Sequence, residues 1–400
     1  MGDWKGSGGL DAAGVRRVGI AHDWMTTYAG SERCVDEMLC AFPDAEVLTS
    51  VMRREALPAS LQRARPSFLQ RLPGAARYHE WLLPLMPVAW KLRRPLAGVD
   101  AVITSSHACA NAVRVAGDVP VLCYCHTPMR YAWNFEAERR RFPRAAQPPA
   151  RVAMRWFRGW DRKTAERVTR FVANSGAVAD RIERFYGRAA KVIHPPVRTE
   201  FFRPGGERGD EFLYAGRLVS YKRPDVAVKA FEGLPYRLNV VGSGHLAERL
   251  RTEAPPNVSF LGEVSDSELR RLYRTARALV FPGEEDFGIV MAEAQACGTP
   301  VIALRRGGAL DIVEDGVTGW LVDEGKPADF RNAVRRAAVE TLDSAAIHRS
   351  AERFSRFRFR EEIRAAVEEM VLAHRGVLVP QLEVDAERQL DGITSARSRT

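Results

Sequence analysis

Val280-Phe-Pro-Gly-Glu-Glu-Asp-Phe-Gly-Ile-Val-Met-Ala-Glu-Ala-Gln-Ala-Cys-Gly-Thr-Pro-Val-Ile302 reads as a strand ending at Pro282, an acidic loop, and a helix starting near Gly288. Gly288 lets the backbone approach a ligand closely, and the free N–H groups of a new helix, from Ile289 onward, point at whatever sits there. Such a turn is a ready site for a diphosphate. Glu285 lies in the loop and Glu293 more than one turn inside the helix, so the two can hold hydroxyls at opposite ends of one extended ligand. The plainer account is an acid favoured by the helix dipole plus one buried, paired glutamate.

Outward from this stretch, short apolar runs alternate with amphipathic ones. Arg17–His22, Val99–Ser105, Val119–His126, Arg170–Asn174 and Lys191–His194 read as strands, with helical patterns at Ser31–Ala41 and Ala177–Tyr186. A second series comprises Phe212–Gly216, Arg237–Gly242, Val258–Leu261, Ala278–Phe281, Pro300–Ala303 and Trp320–Val322. Strand–helix alternation predicts α/β architecture with parallel sheets covered on both faces. Between the series, the prolines of His194-Pro-Pro-Val-Arg-Thr-Glu-Phe-Phe-Arg-Pro204 remove backbone donors and force extended chain. Two doubly wound, Rossmann-like domains facing one cleft follow, over 15–198 and 199–350, and ligands of such sheets bind beyond the carboxyl ends of the strands. A C-terminal helix at 351–375 is expected to cross back to the first domain, and 376–400 to form a disordered tail.

Four hundred residues suit two domains, and no run of eighteen apolar residues offers a membrane span. Met1–Gly14 has no apolar core and is not read as a secretory signal, which predicts a cytoplasmic protein. The six cysteines show neither C-x-x-C nor zinc spacing and are expected to be buried thiols. The net charge of +10 suits anionic partners; between Arg130 and Arg170, twelve Arg/Lys face four Asp/Glu. No zinc-finger or RNA-binding signature accompanies that charge, so no nucleic acid is expected. For most of these arginines a solvated helix face is the simpler account.

Gly216-Arg-Leu-Val-Ser-Tyr-Lys-Arg-Pro224 follows the first strand of the second series. Arg217 and Lys222 can reach over the strand ends and neutralise a pyrophosphate leaving group, although two surface cations in a turn are the commoner case. Val241-Gly-Ser-Gly-His-Leu-Ala247 is a G-x-G-x-x-A after a strand, and Glu263 lies nineteen residues beyond Gly244. Those are marks of a dinucleotide site, which makes an NAD-dependent oxidoreductase a competing enzyme class. Against it, the fingerprint follows the second strand of its series, not the first.

Gly216–Pro224 together with Glu285–Glu293, an E-x7-E followed by Ala-Cys-Gly-Thr-Pro-Val-Ile302, resembles the family-4 retaining glycosyltransferases from about Val18 to about Leu372. His22-Asp-Trp-Met-Thr-Thr-Tyr-Ala-Gly-Ser-Glu-Arg33 is similar to that family's glycine-rich acceptor loop, with Ala29-Gly30 where two glycines are usual. Tyr124-Cys-His-Thr-Pro-Met-Arg-Tyr-Ala-Trp133 resembles a subgroup that includes O-antigen mannosyltransferases. The resemblance implies a GT-B fold and a mannosyltransferase using GDP-mannose. It implies that Arg217 and Lys222 bind the diphosphate with the backbone of Gly288 and Ile289, that Glu285 holds donor-sugar hydroxyls and that Glu293 holds the ribose. His126 would face the transferred sugar, Gly30 would admit acceptor and phosphate to the backbone, and the loop of Gly242 and Gly244 would lie beside the nucleoside. A satisfied histidine at a strand end is the simpler account of His126.

The resemblance further implies retention by front-face attack, with no cofactor beyond the donor. The chain contains no Asp-x-Asp to hold a divalent ion, so no metal is expected. Other GT-B activities (a nucleotide-sugar 2-epimerase, a phosphorylase) and a non-catalytic sugar-nucleotide-binding partner remain as alternatives. The acceptor is carbohydrate, polyprenyl-linked or a natural product. Arg71–Arg94 mixes aromatics, Leu/Met and flanking cations, which suits either a peripheral contact with an anionic membrane at its inner face or a core segment broken by Pro84 and Pro87.

Overall fold

The computed structural model describes residues 14–135 and 147–377. Part of the cationic Arg130–Arg170 stretch, most of Met1–Gly14 and most of the expected tail lie outside the described residues.

Two parallel sheets form. The first contains β1 (Val18–His22), β2 (Glu46–Thr49), β3 (Arg65–Pro66), β4 (Ala101–Ser106), β5 (Val121–Cys125), β6 (Arg170–Ala173) and β7 (Ala190–Val192), in the order β3-β2-β1-β4-β5-β6-β7. The second contains β8 (Phe212–Ala215), β9 (Leu238–Val241), β10 (Val258–Gly262), β11 (Leu279–Phe281), β12 (Val301–Leu304) and β13 (Gly319–Val322), in the order β10-β9-β8-β11-β12-β13. Every residue of β1, β4, β5, β8, β11 and β12 is buried, because helices cover both faces, and such strands read as unbroken apolar runs. β2 and β3 escaped the sequence. The first has four residues, and the second is the edge pair Arg65-Pro66, with no apolar run to reveal it.

Strand order reverses between β1 and β4 and again between β8 and β11. At these switch points adjoining turns diverge and leave room for a ligand. The helix Arg356–His374 returns to the first sheet: Phe359, Ile363, Ala366, Val367, Met370 and Val371 enter the cluster that holds Ile20, Val35 and Met38. Glu37, buried on the helix Gly30–Ala41, pairs with Arg356 at 3.3 Å and with Arg360 at 2.5 Å. Where the chain crosses between sheets it does so twice, side by side, with the Val197 amide donating to the Phe354 carbonyl at 2.8 Å.

Five of the six cysteines are buried; Cys40 is exposed, at the outer side of its helix, which corrects the expectation of a wholly buried set. Cys123 and Cys125 pack with Phe171, Val178 and Ile182.

Candidate active site

The turn after β8 and the turn after β11 meet. Lys222 Nζ lies 2.9 Å from Glu285 Oε1, with side chains only 14% and 17% exposed. The pair is close but not aligned as a hydrogen bond, so Glu285 Oε1 stays unsatisfied. Gly283 makes the approach possible, since a Cβ there would fall 2.7 Å from the Lys222 Cα. Arg223, next in the turn, has φ 52°, the one non-glycine positive φ among the described residues. Pro224 disfavours the right-handed helical region for the residue before it, and strain of this kind persists where surroundings enforce it. Arg217 is exposed and donates to the Tyr221 hydroxyl at 2.7 Å; Tyr221 also lies under the Lys222 ammonium and the Arg130 guanidinium.

Gly288 caps the helix Ile289–Ala296 in the left-handed region, φ 92°. The Met291 amide donates to the Gly288 carbonyl at 2.9 Å, which leaves the amides of Ile289 and Val290 without an intrahelical acceptor at the helix start, next to the Glu285 loop. Gly307 and Gly308, after β12, brace that loop: the Gly308 amide donates to the Glu285 carbonyl at 2.9 Å, and a Cβ on either glycine would strike the Glu285 or Phe287 backbone. This Gly-Gly pair was visible in the sequence but was given no role.

Glu293 is buried, and its partner comes from the other domain. Arg33 Nη1 lies 3.2 Å from Glu293 Oε1, and the Tyr273 hydroxyl 3.4 Å from Oε2. Burial pushes the Glu293 carboxyl up, opposed by Arg33. The acidic loop is bridged likewise: Asp286 accepts from both Arg130 and Arg181, and Arg181 lies 3.6 Å from Glu284. No sequence signal marked Arg33, Arg130, Arg181 or Asp286 as pairs, because 260, 156 and 105 residues separate the partners.

Across the cleft, His126 follows β5. Its Nε2 lies 2.8 Å from Ser105 Oγ, which also lies 3.0 Å from His22 Nδ1. Burial, with His107 and His22 nearby, holds the His126 pKa well below the usual histidine range, so the ring is neutral at neutral pH. Asp23, wholly buried after β1, accepts from the backbone amides of His107, Ala108, Cys109 and Ala110, tying the β1 and β4 turns together. Asp23 stands in the His22–Arg33 stretch, but no spacing there marks it as the anchor of a turn more than eighty residues away. Gly30 opens the helix that carries Arg33, and a Cβ there would meet no protein atom within 4 Å.

Gly242 and Gly244 answer to packing. A Cβ at Gly242 would lie 2.0 Å from the Gly216 carbonyl oxygen, and one at Gly244 2.4 Å from that of Leu218. The two turns are joined by Leu218 N to Ser243 O at 2.7 Å, and Ser243 donates to Glu263. The fingerprint therefore stands at the second strand, off the switch point, with its glycines filled by backbone. That position, off the switch point, is where the sequence also weighs against the NAD reading.

The chain is similar to known proteins over most of its length. Residues 28–201 match the model of Glycosyltransferase Family 4, and residues 197–353 that of Glycosyl transferases group 1. The chain is 35% identical over 201 residues to a D-inositol 3-phosphate glycosyltransferase of Acidothermus cellulolyticus, covering 42% of this chain and 45% of that one. It is 36% identical over 225 residues to one of Streptomyces bingchenggensis, covering 46% and 49%. It thus spans about half the length of the curated relatives it matches. Anabaena Alr3699/HepE, solved with UDP and glucose, superposes with a TM-score of 0.65 at 17% identity, over 88% of this chain and 99% of that one. The fold is GT-B, with residues 28–201 similar to Glycosyltransferase Family 4 and residues 197–353 similar to Glycosyl transferases group 1.

Proposed function

We propose that this chain transfers a hexose from a nucleoside diphosphate sugar to an acceptor, with retention of configuration and without a metal. The observation that carries the reading is the Lys222–Glu285 pair at the switch point of the second sheet, 2.9 Å apart and beside the helix start at Gly288. A diphosphate would take Lys222 from Glu285 and lie against the amides at Gly288 and Ile289, with Arg217 on the exposed side. Glu285, so released, would hold sugar hydroxyls. Glu293 would hold the ribose, keeping one oxygen for Arg33. His126, neutral and fixed through Ser105, would face the sugar, and the open space at Gly30 would admit acceptor or phosphate.

In the reaction the C1–O bond to the diphosphate breaks as the acceptor oxygen bonds to C1 on the same face. The departing phosphate oxygen takes the acceptor proton. The protein positions and stabilises charge, and one such contact is worth roughly 2.7–4 kcal/mol.

GDP-mannose is the donor we put first, on the resemblance carried by Tyr124–Trp133; UDP-glucose, bound in a structure of the Anabaena protein, is the comparison donor. Acceptors to try are lipid-linked or soluble carbohydrates and, from the relatives' names, D-inositol 3-phosphate. Release of nucleoside diphosphate is expected from one donor, to rise on adding acceptor, and to be unchanged by EDTA. Release indifferent to every acceptor points to hydrolysis or another GT-B activity. A strict need for magnesium or manganese overturns the metal-free mechanism.

A further inference from the structure

His79–Leu92 is two-faced. Leu83, Met86, Ala89 and Trp90 are buried in the cluster beneath the first sheet, whereas Trp81, Leu85, Val88 and Leu92 are 78%, 45%, 46% and 68% exposed. Large apolar side chains exposed singly need no explanation; four on the outer side of one short segment do. The helix Gln147–Ala165 packs Met154 and Phe157 into the same cluster and turns Val152 and Trp156 outward, 71% and 58% exposed. The apolar exposure thus belongs to one layer of the first domain.

Charge selects the occupant. Within 71–94, Arg71, Arg77, Lys91 and Arg94 are exposed, and Glu80 is the single carboxylate. A second copy docking through the same face would set cations against cations. Among the described residues no helix is long and apolar enough to cross a membrane. Apolar side chains with aromatics at the edge and cations around them match the boundary between headgroups and acyl chains of an anionic bilayer.

We infer that this face of the first domain docks on an anionic lipid surface, with Trp81, Leu85, Val88 and Leu92 entering the boundary and Lys91, Arg94 and their neighbours meeting headgroups. The same segment walls a cavity of about 830 Å³, through Leu72, Arg77 and His79, whose far side is Thr26 and Thr27 after β1. From that wall a file of rings leads inward: His79 on Trp24 at 5.1 Å, Trp24 on His107 at 4.4 Å, and His107 to His126 at 6.2 Å. Docking would therefore set the membrane beside a cavity whose wall residue His79 is joined to His126 by this file of rings. The inference stands on the surface alone and does not need the transfer reaction.

The test is co-sedimentation of the full chain with phosphatidylcholine vesicles, with and without phosphatidylglycerol. Binding is expected only with the anionic lipid, and is expected to fall when salt shrinks the screening length from ~10 Å to ~3 Å. Trp81→Ser/Leu85→Ser/Leu92→Ser should cut the bound fraction, and Lys91→Glu/Arg94→Glu should lower partitioning roughly tenfold or more. All five positions are exposed, so circular dichroism and nucleotide affinity should match wild type in both variants. Failure of wild type to bind anionic vesicles, or undiminished binding by both folded variants, overturns the inference. So does a wild-type dimer in sedimentation velocity that becomes monomeric in the triple variant, since the face would then belong to a second copy.

Discussion

Lys222 and Arg217 share one turn but not one environment. Lys222 is mostly buried and faces Glu285, whereas Arg217 is exposed and its guanidinium donates to the Tyr221 hydroxyl. If both meet negative charge as the leaving group departs, Ala at either position lowers kcat more than it raises KM, by up to roughly 2.7–4 kcal/mol and most at Lys222. Two idle cations would change kinetics by no more than about 0.5 kcal/mol. Steady-state kinetics of both folded variants decide. Glu293→Gln is expected to weaken binding of the bare nucleotide, and Glu285→Gln to impair use of the sugar, because a neutral amide cannot reproduce two charge-assisted bonds to ribose hydroxyls. Arg33→Ala takes the charged partner from the buried Glu293 carboxylate, and chemical denaturation should show a loss of about 1–3 kcal/mol, largely recovered in Arg33→Ala/Glu293→Gln. The E-x7-E spacing revealed both glutamates. It concealed Arg33, since a pair spanning 260 residues exists only once two sheets face each other. Asp161 was likewise illegible: buried with the Trp133 indole and Tyr186 hydroxyl on one oxygen, its carboxyl is pushed up to about 6 by burial. A folded pKa above the unfolded ~3.9 favours the protonated fold, so this stability is full below pH ~4 and is lost as pH rises through about 6. Asp161→Asn should therefore gain on wild type between pH 5 and pH 7.5, by on the order of 1–3 kcal/mol in urea unfolding.

At the scale of elements, apolar runs marked eleven strands, and each formed within a residue or two of its expected limits. The two that went unseen lie toward one edge of the first sheet: β2 is buried but only four residues long, and β3 is the two-residue edge strand Arg65–Pro66. Glycines were legible as turns, but what demands them was not: at Gly242 and Gly244 the backbone of Gly216 and Leu218 lies where a Cβ would stand. The loop with Glu285 is held from three sides, by Gly308, by Lys222 and, through Asp286, by Arg130 and Arg181 of the first domain. Asp286→Asn removes both charged pairs at once. It is expected to lower kcat/KM about tenfold, equivalent to ~1.4 kcal/mol, and to enlarge the radius of gyration in solution scattering. Unchanged kinetics and unchanged scattering would show the loop to be positioned by its own domain.

For the whole molecule, each sheet places its switch point at the shared cleft, with His126, Ser105 and Asp23 on one side and Lys222, Glu285 and Gly288 on the other. Alternation of strand and helix, and prolines at the crossing, were enough to foresee two such domains. The helix Arg356–His374 joins the first core through Ile363 and its neighbours, and its Glu37 anchor was invisible for the same reason as Arg33. The central claim is that the cleft binds a nucleoside diphosphate between the E-x7-E helix and the Gly216–Pro224 turn. Calorimetric titration of wild type and Glu293→Gln with GDP, UDP and ADP tests it most directly. The account predicts that at least one of them binds the wild type and binds Glu293→Gln at least roughly tenfold more weakly, a difference of ~1.4 kcal/mol. Binding of none of the three, or equal affinity in both proteins with the fold intact, would contradict it.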